Sequence, residues 1–169
     1  MPPDRRRKLE STVAAIQQRH GTQAIRRARD LPHALPPYVR TGFGALDAIT
    51  GCNGIPLGAI TLFSGPGTSG KLTVAYKALA NAQTPPHGEN CVLLDLAHTT
   101  NPEYMQRCGV DLGRLLIVRP QNEADGLPLL LDLVQSRQTR LVLVDGIPEL
   151  LAQRELARRF NAALGHLRQ

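Results

Sequence analysis

Four short apolar runs, three of them separated by segments of helical periodicity, constrain this chain more than any other feature. They are Ala59-Ile60-Thr61-Leu62-Phe63, Cys91-Val92-Leu93-Leu94-Asp95, Leu115-Leu116-Ile117-Val118 and Leu141-Val142-Leu143-Val144-Asp145. Runs this short and this continuous read as strands buried on both faces, not as alternating strands with one wet side. Helices are expected near residues 71–82, 102–108 and 126–136. A last one is expected from about 149 to 167, where Leu150, Leu156, Phe160, Leu164 and Leu167 recur on one face. Strands alternating with helices predict an α/β fold, a doubly wound and mostly parallel sheet with helices on both faces.

A different pattern precedes the first run. From Arg7 to His20 the apolar residues Leu9, Val13 and Ile16 recur at helical spacing, and Gly21 is a plausible stop. Leu31-Pro32-His33-Ala34-Leu35-Pro36-Pro37 then reads as a stiff linker. The expected organisation is a basic helical arm with its linker over residues 1–38 and an α/β core over 39–169. Charge follows the same division. Residues 1–40 hold nine Lys or Arg against three acidic side chains, while the other 129 residues hold eleven of each, so the whole net charge of +6 lies in the first forty residues, the arm and the start of the core. A basic arm on a neutral body suits contact with nucleic acid or an acidic partner surface, through Arg5, Arg6, Arg7, Lys8, Arg26, Arg27 and Arg29.

With 42% hydrophobic and 20% charged residues, the composition is that of a packed domain and not of a disordered or collagen-like chain. No apolar run approaches the roughly 18 residues that span a bilayer, and no apolar stretch follows the N-terminal charges as in a secretion signal. A cytoplasmic protein is expected. Cys52, Cys91 and Cys108 are odd in number and widely spaced, which fits reduced, buried thiols better than a disulfide framework or a metal knuckle.

The run Ala59–Phe63 leads directly into Gly65-Pro66-Gly67-Thr68-Ser69-Gly70-Lys71-Leu72-Thr73 and a helical segment. In that order, glycines let backbone N–H groups turn toward an anion, the helix N-terminus adds its dipole, and a lysine supplies a point charge to the outer phosphates. The full pattern has Ser or Thr directly after the lysine, where its hydroxyl binds Mg²⁺. Here Leu72 stands in that place, and Thr73 is one residue on, about 100° around the helix. Asp145, closing the fourth run, is placed as a second metal-organising carboxylate would be.

These motifs, taken together, resemble the bacterial RecA recombinase family. Thr41-Gly42-Phe43-Gly44-Ala45-Leu46-Asp47 and Gly54-Ile55-Pro56-Leu57-Gly58-Ala59-Ile60 are similar to that family's approach to its nucleotide loop. Asp95-Leu96-Ala97-His98, Asn101-Pro102-Glu103-Tyr104 and Gly109-Val110-Asp111 are similar to its segment around the catalytic glutamate and adenine pocket. The resemblance implies a RecA-like nucleotide-binding core with ATP, and Mg²⁺ held through Asp145, as its ligands. Tyr104 stands where the family stacks a tyrosine on adenine. Asn101 stands where an acidic residue contacts the base, and an asparagine offers both a donor and an acceptor. The N-terminal helix, with Gly21 and Ile25, is similar to the arm by which each family member docks on its filament neighbour.

Three departures from the family pattern touch hydrolysis. Ala97 occupies the place of the glutamate that activates the attacking water, and its methyl group accepts no proton. Leu72 removes the metal-binding hydroxyl. The chain also ends at Gln169, where the family begins a strand that carries a γ-phosphate sensor and lies between the loop strand and the Asp145 strand; the expectation is a truncated sheet, either closed on itself or completed by a partner strand. His98 is expected to be a packing residue at a strand end.

A protein of DNA repair, recombination or the SOS response follows from the resemblance, binding ATP weakly without efficient hydrolysis. Its expected partners are a full-length recombinase or a translesion polymerase, with weak, salt-sensitive contact to single-stranded DNA through the arm. The alternatives are a weak DNA-dependent ATPase, with Thr73 and Asp145 rescuing the metal, and an inactive fragment.

Overall fold

The computed structural model describes residues 3–30, 35–85, 90–148 and 154–166. It divides into two compact units, Met1–Leu35 and Pro36–Gln169. The first is built on helix α1 (Pro3–His20). Gly21, at φ +89°, ends it in the left-handed conformation that glycine adopts without strain, and its N–H donates to the Gln17 carbonyl. Beyond the turn, the Gln17 Nε2 donates to the Ile25 carbonyl at 3.1 Å, and Val13, Ile16 and Ile25 are half-buried.

The second unit is a three-layer α/β arrangement. Its sheet holds β3 (Cys91–Asp95), β4 (Leu115–Val118) and β5 (Leu141–Asp145), all parallel, in the order β4-β3-β5. Leu94 pairs with Val118 and Val144, and Asp95 pairs with Asp145. A separate antiparallel ribbon joins β1 (Tyr38–Val39) to β2 (Ile55–Pro56). Gly54, just before β2, needs its missing side chain, because a Cβ there would run into the Val39 carbonyl. The helices are α2 (Gly44–Ile49), α3 (Lys71–Ala82), α4 (Pro102–Arg107), α5 (Glu123–Gln135) and α6 (Arg154–His166).

Strand alternation sorts the core into two sides. Leu141 and Leu143 of β5 join Leu93, Tyr76 and Leu79 of α3, and Met105 of α4 on one face of the sheet. Val142 and Val144 join Leu94, Leu130 of α5 and Phe160 of α6 on the other. Every residue of β3 is buried, as a central strand covered on both faces must be. Truncating a side chain such as Leu79, Leu93 or Met105, each fully buried, costs about 2–5 kcal/mol on general grounds. The three cysteines are buried. Among the described residues, no helix is long and apolar enough to cross a membrane.

One expected strand does not form. Residues 59–65 pair with no described strand, and Ile60 and Leu62 are 53% and 73% exposed. The physical reason is that an apolar, β-favouring sequence fits a pleated surface but becomes a strand only when a neighbour takes up its backbone ladder. The edge of β5 away from β3 is likewise paired with no described strand. The expected last helix is seen from Arg154; its start, with Leu150, lies outside the described residues, as does Leu167.

Candidate functional site

The glycine loop turns into α3 through two left-handed residues, Thr68 at φ +59° and Gly70 at φ +80°. Gly70 is the helix N-cap, and no side chain caps this end, so the first-turn N–H groups are left for an anion or water. Thr68 donates its hydroxyl to the Gly67 carbonyl at 2.6 Å, and the Ser69 N–H donates to the Pro66 carbonyl at 3.4 Å. At Gly65 there is no room for a Cβ, which would meet the Ser69 hydroxyl at 2.9 Å. Lys71 folds back over the loop, its Nζ donating to the Pro66 carbonyl at 3.2 Å. Backbone donors, a helix dipole and the Lys71 ammonium suit a phosphate group.

The same loop does not suit Mg²⁺. Leu72 packs against the core below α3. The Thr73 hydroxyl is engaged with the phenol of Tyr104 at 2.5 Å. Neither residue after the lysine therefore presents a free hydroxyl beside the loop.

Asn101 is the N-cap of α4, with Pro102 in the first turn as helix starts favour. Its Oδ1 accepts the Tyr104 N–H at 3.1 Å. That oxygen keeps a second lone pair and Nδ2 keeps its donors, so Asn101 caps α4 and still offers both an acceptor and a donor. Tyr104 is 40% exposed and stands edge-on to Tyr76, with ring centroids 6.1 Å apart and planes at 65°.

Behind these rings lie the C-terminal ends of the parallel strands, where open α/β sheets place their ligands. The Asp95 carboxylate is fully buried. Arg119 Nε donates to its Oδ2 at 2.9 Å, and the Thr99 and Thr100 N–H groups donate at 3.2 and 3.4 Å. Burial alone would raise the pKa of Asp95; hydrogen bonds from Thr100, Arg119 and the Thr99 amide outweigh it and hold the carboxyl below its usual range. Asp145, its neighbour across the ladder, accepts the Thr99 hydroxyl at 3.4 Å. Burial, then the Asp145 and Asp95 charges, push the Tyr76 phenol up to about 12. Ala97, half-buried, follows β3. His98 is exposed at φ +54°, a turn residue and not the packing residue expected of it.

The basic side chains lie in the other unit. Arg6 and Arg27 share the Glu10 carboxylate at 3.3 and 3.9 Å. Arg5, Arg7, Lys8 and Arg26 are exposed and meet no acidic partner among the described residues. The side chain of Arg29 lies outside them.

The family model of the RecA N-terminal domain matches residues 7–166 of the chain. This chain belongs to the RecA family. It is 35% identical over 153 residues to Protein RecA of Cutibacterium acnes, covering 90% of this chain and 43% of that protein. It is 34% identical to Protein RecA of Acidothermus cellulolyticus and 32% identical to that of Streptomyces avermitilis, each across 90% of this chain and 44% and 40% of those proteins. The chain thus spans less than half the length of the RecA relatives it matches.

The RecA-family match takes in the glycine loop, Ala97, Asn101, Tyr104 and Asp145. The fold brings Thr73 to Tyr104 and sets the Tyr104 ring against Tyr76. Sequence reading missed Tyr76 and Arg119. Tyr76 lies three residues after Thr73, on the same helix face. Arg119 follows the residue paired with Leu94, one place before Asp95, so the parallel register aligns it with that carboxylate.

Proposed function

We propose that this RecA-family chain is a cytoplasmic protein of DNA repair or recombination that binds ATP weakly without efficient hydrolysis, and acts through protein or DNA contacts. The observation that carries this reading is Ala97, a methyl group just past the end of β3, in the family segment where attack on a γ-phosphate requires a proton acceptor. Leu72, turned into the core, supports it by leaving the residue after Lys71 without a metal-binding hydroxyl. Gly65–Lys71 bind the phosphates through backbone amides and one ammonium group, and Tyr104 carries the base.

The basic arm supplies the contacts. Arg5, Arg7, Lys8 and Arg26 present charge to phosphates or to an acidic surface, and Ile25 presents an apolar anchor to a recombinase or a translesion polymerase. Binding to single-stranded DNA through the arm depends on salt, with a logarithmic slope of about 0.7 per phosphate contact.

Calorimetric titration with ATP, and phosphate release measured with and without magnesium and single-stranded DNA, tests the reading. Weak binding with background turnover is expected, and DNA-stimulated turnover would sink it. Co-purification with the recombinase, lost in Ile25→Asp, tests the arm.

A further inference from the structure

We infer that Asn53 is a site of spontaneous covalent modification, converting to aspartate and isoaspartate through a cyclic imide with Gly54, and that the Thr50 hydroxyl restrains this conversion in the folded chain. The inference stands apart from the nucleotide site and from the basic arm. The chain holds six asparagines, followed by Gly54, Ala82, Cys91, Pro102, Glu123 and Ala162. Ring closure uses the backbone nitrogen of the following residue as nucleophile, so Pro102, with no N–H to lose, excludes Asn101. A Cβ on that residue crowds the ring, and only after Asn53 is it absent. Asn53 is also exposed. It stands at φ +63° in the turn before β2, a left-handed conformation that asparagine tolerates better than most residues.

The chemistry needs no co-reactant but water. The Gly54 amide loses its proton, and its nitrogen attacks the side-chain carbonyl carbon of Asn53. A new C–N bond closes the imide, and the side-chain nitrogen leaves as ammonia, taking up the proton. Water then opens the ring on either side. Attack at the side-chain carbonyl breaks the new C–N bond and leaves aspartate. Attack at the backbone carbonyl breaks the original peptide bond and leaves isoaspartate, with the main chain routed through the side-chain carbons and lengthened by a methylene.

The fold controls the first of these steps. At the end of α2 the Thr50 hydroxyl donates to the Asp47 carbonyl at 2.8 Å; with its proton committed there, it accepts the Gly54 N–H at 3.1 Å. The Gly54 carbonyl accepts the Cys52 thiol at 3.1 Å. Between these bonds Gly54 is buried against β1, where a Cβ would overlap the Val39 carbonyl. An amide N–H held in this way gives up its proton only when the turn opens. The same packing leaves no room for the product. Ile55 pairs with the buried Val39, which lies in the core beside Tyr76 and Leu79, so a methylene added just ahead of Ile55 pulls the ribbon out of register.

Tryptic mapping tests this, because the segment between Arg40 and Lys71 holds Asn53 and no other asparagine or glutamine. The full chain is kept in mildly alkaline buffer, folded and in urea, and the mass of peptide 41–71 is followed over time. In urea the change from amide to acid is expected in this peptide before any other asparagine-containing one, and in the folded chain it should be slower. Thr50→Val should speed the folded reaction about two- to tenfold, the worth of one hydrogen bond, and leave the rate in urea unchanged. Thr50→Ser, which keeps the hydroxyl, should stay slow, and Asn53→Gly should abolish the change. Earlier conversion of another asparagine in urea would overturn the site. Equal rates in the folded chain and in urea, or a folded Thr50→Val variant that converts no faster, would overturn the restraint. Should Thr50→Val fail to fold, hydrogen exchange at Gly54 in the unaltered chain decides instead: slow exchange is expected, and a freely exchanging amide would overturn the restraint.

Discussion

The hydroxyls of Thr73 and Tyr104 lie 2.5 Å apart, joining the first turn of α3 to α4 across 31 residues of sequence. The pair is one hydrogen bond with either atom as donor, so removing either partner should have the same effect. Thr73→Val and Tyr104→Phe are each expected to cost about 0.5–1.5 kcal/mol in urea denaturation. The double variant should cost no more than the larger single change, because the second substitution finds no bond left to break. Additive losses would mean that the two hydroxyls act through other partners.

Tyr76 gives the chain a late alkaline transition. Its phenol titrates near 12 in the folded protein, against 10 for an ordinary tyrosine, with burial the main cause and the Asp145 and Asp95 charges adding to it. Between these values the unfolded chain has lost a proton that the folded chain retains, so stability falls as pH rises from about 10 to 12. Below pH 10 both states are protonated and the contribution is fully present. The absorbance of phenolate should show one of the three tyrosines ionising near 12, a step that disappears in Tyr76→Phe. If that variant keeps the late step, the raised group is another tyrosine.

The Asp95–Arg119 pair works at the acid end. A fully buried carboxylate held by Arg119 and two amides has its folded pKa below the unfolded value. Its contribution is therefore present above about pH 4, the unfolded carboxylate range, and is lost as pH falls through the lower folded value. Arg119→Met leaves Asp95 buried with the Thr99 and Thr100 amides. Because Arg119 is itself 45% exposed, the expected cost at pH 7 is about 1–3 kcal/mol, less than for a fully buried pair. The midpoint of acid unfolding should move upward in this variant. An unchanged midpoint would show that the Thr99 and Thr100 groups suffice to hold the carboxylate.

What was legible in the sequence follows from what each residue needs. Strands β3, β4 and β5 were readable to the residue, because each is a continuous apolar, β-favouring run closed by a polar residue. Only the central β3 is buried on both faces, and Leu116 and Ile117 of β4 are exposed. Helix α3 was equally plain, because Gly70 and the run of alanines mark its start and body. Ala59–Phe63 misled for a reason no local pattern carries: whether Ile60 and Leu62 are buried depends on a neighbouring strand, a long-range matter. The Asn101 cap shows a similar limit. Residue type allowed a cap, a donor and an acceptor, and only the Tyr104 N–H shows that Asn101 Oδ1 holds the start of α4. Arg119 was invisible for want of a register, since nothing within β4 says which residue of β3 stands beside it.

The two departures at Leu72 and Ala97 lead to a last prediction. Leu72 packs on the core, so Leu72→Thr should cost about 1–2 kcal/mol in stability while placing a hydroxyl directly after Lys71. Ala97→Glu restores a proton acceptor beyond β3 at little cost, because the position is only half-buried. Each substitution alone should leave phosphate release at background, since a base without an organised triphosphate, or the reverse, does not complete the step. The double variant should raise magnesium-dependent turnover by about 10²-fold, the lower range of a general base's contribution. Turnover restored by Ala97→Glu alone would show that Leu72 is not limiting and that Lys71 and the loop amides organise the phosphates without it.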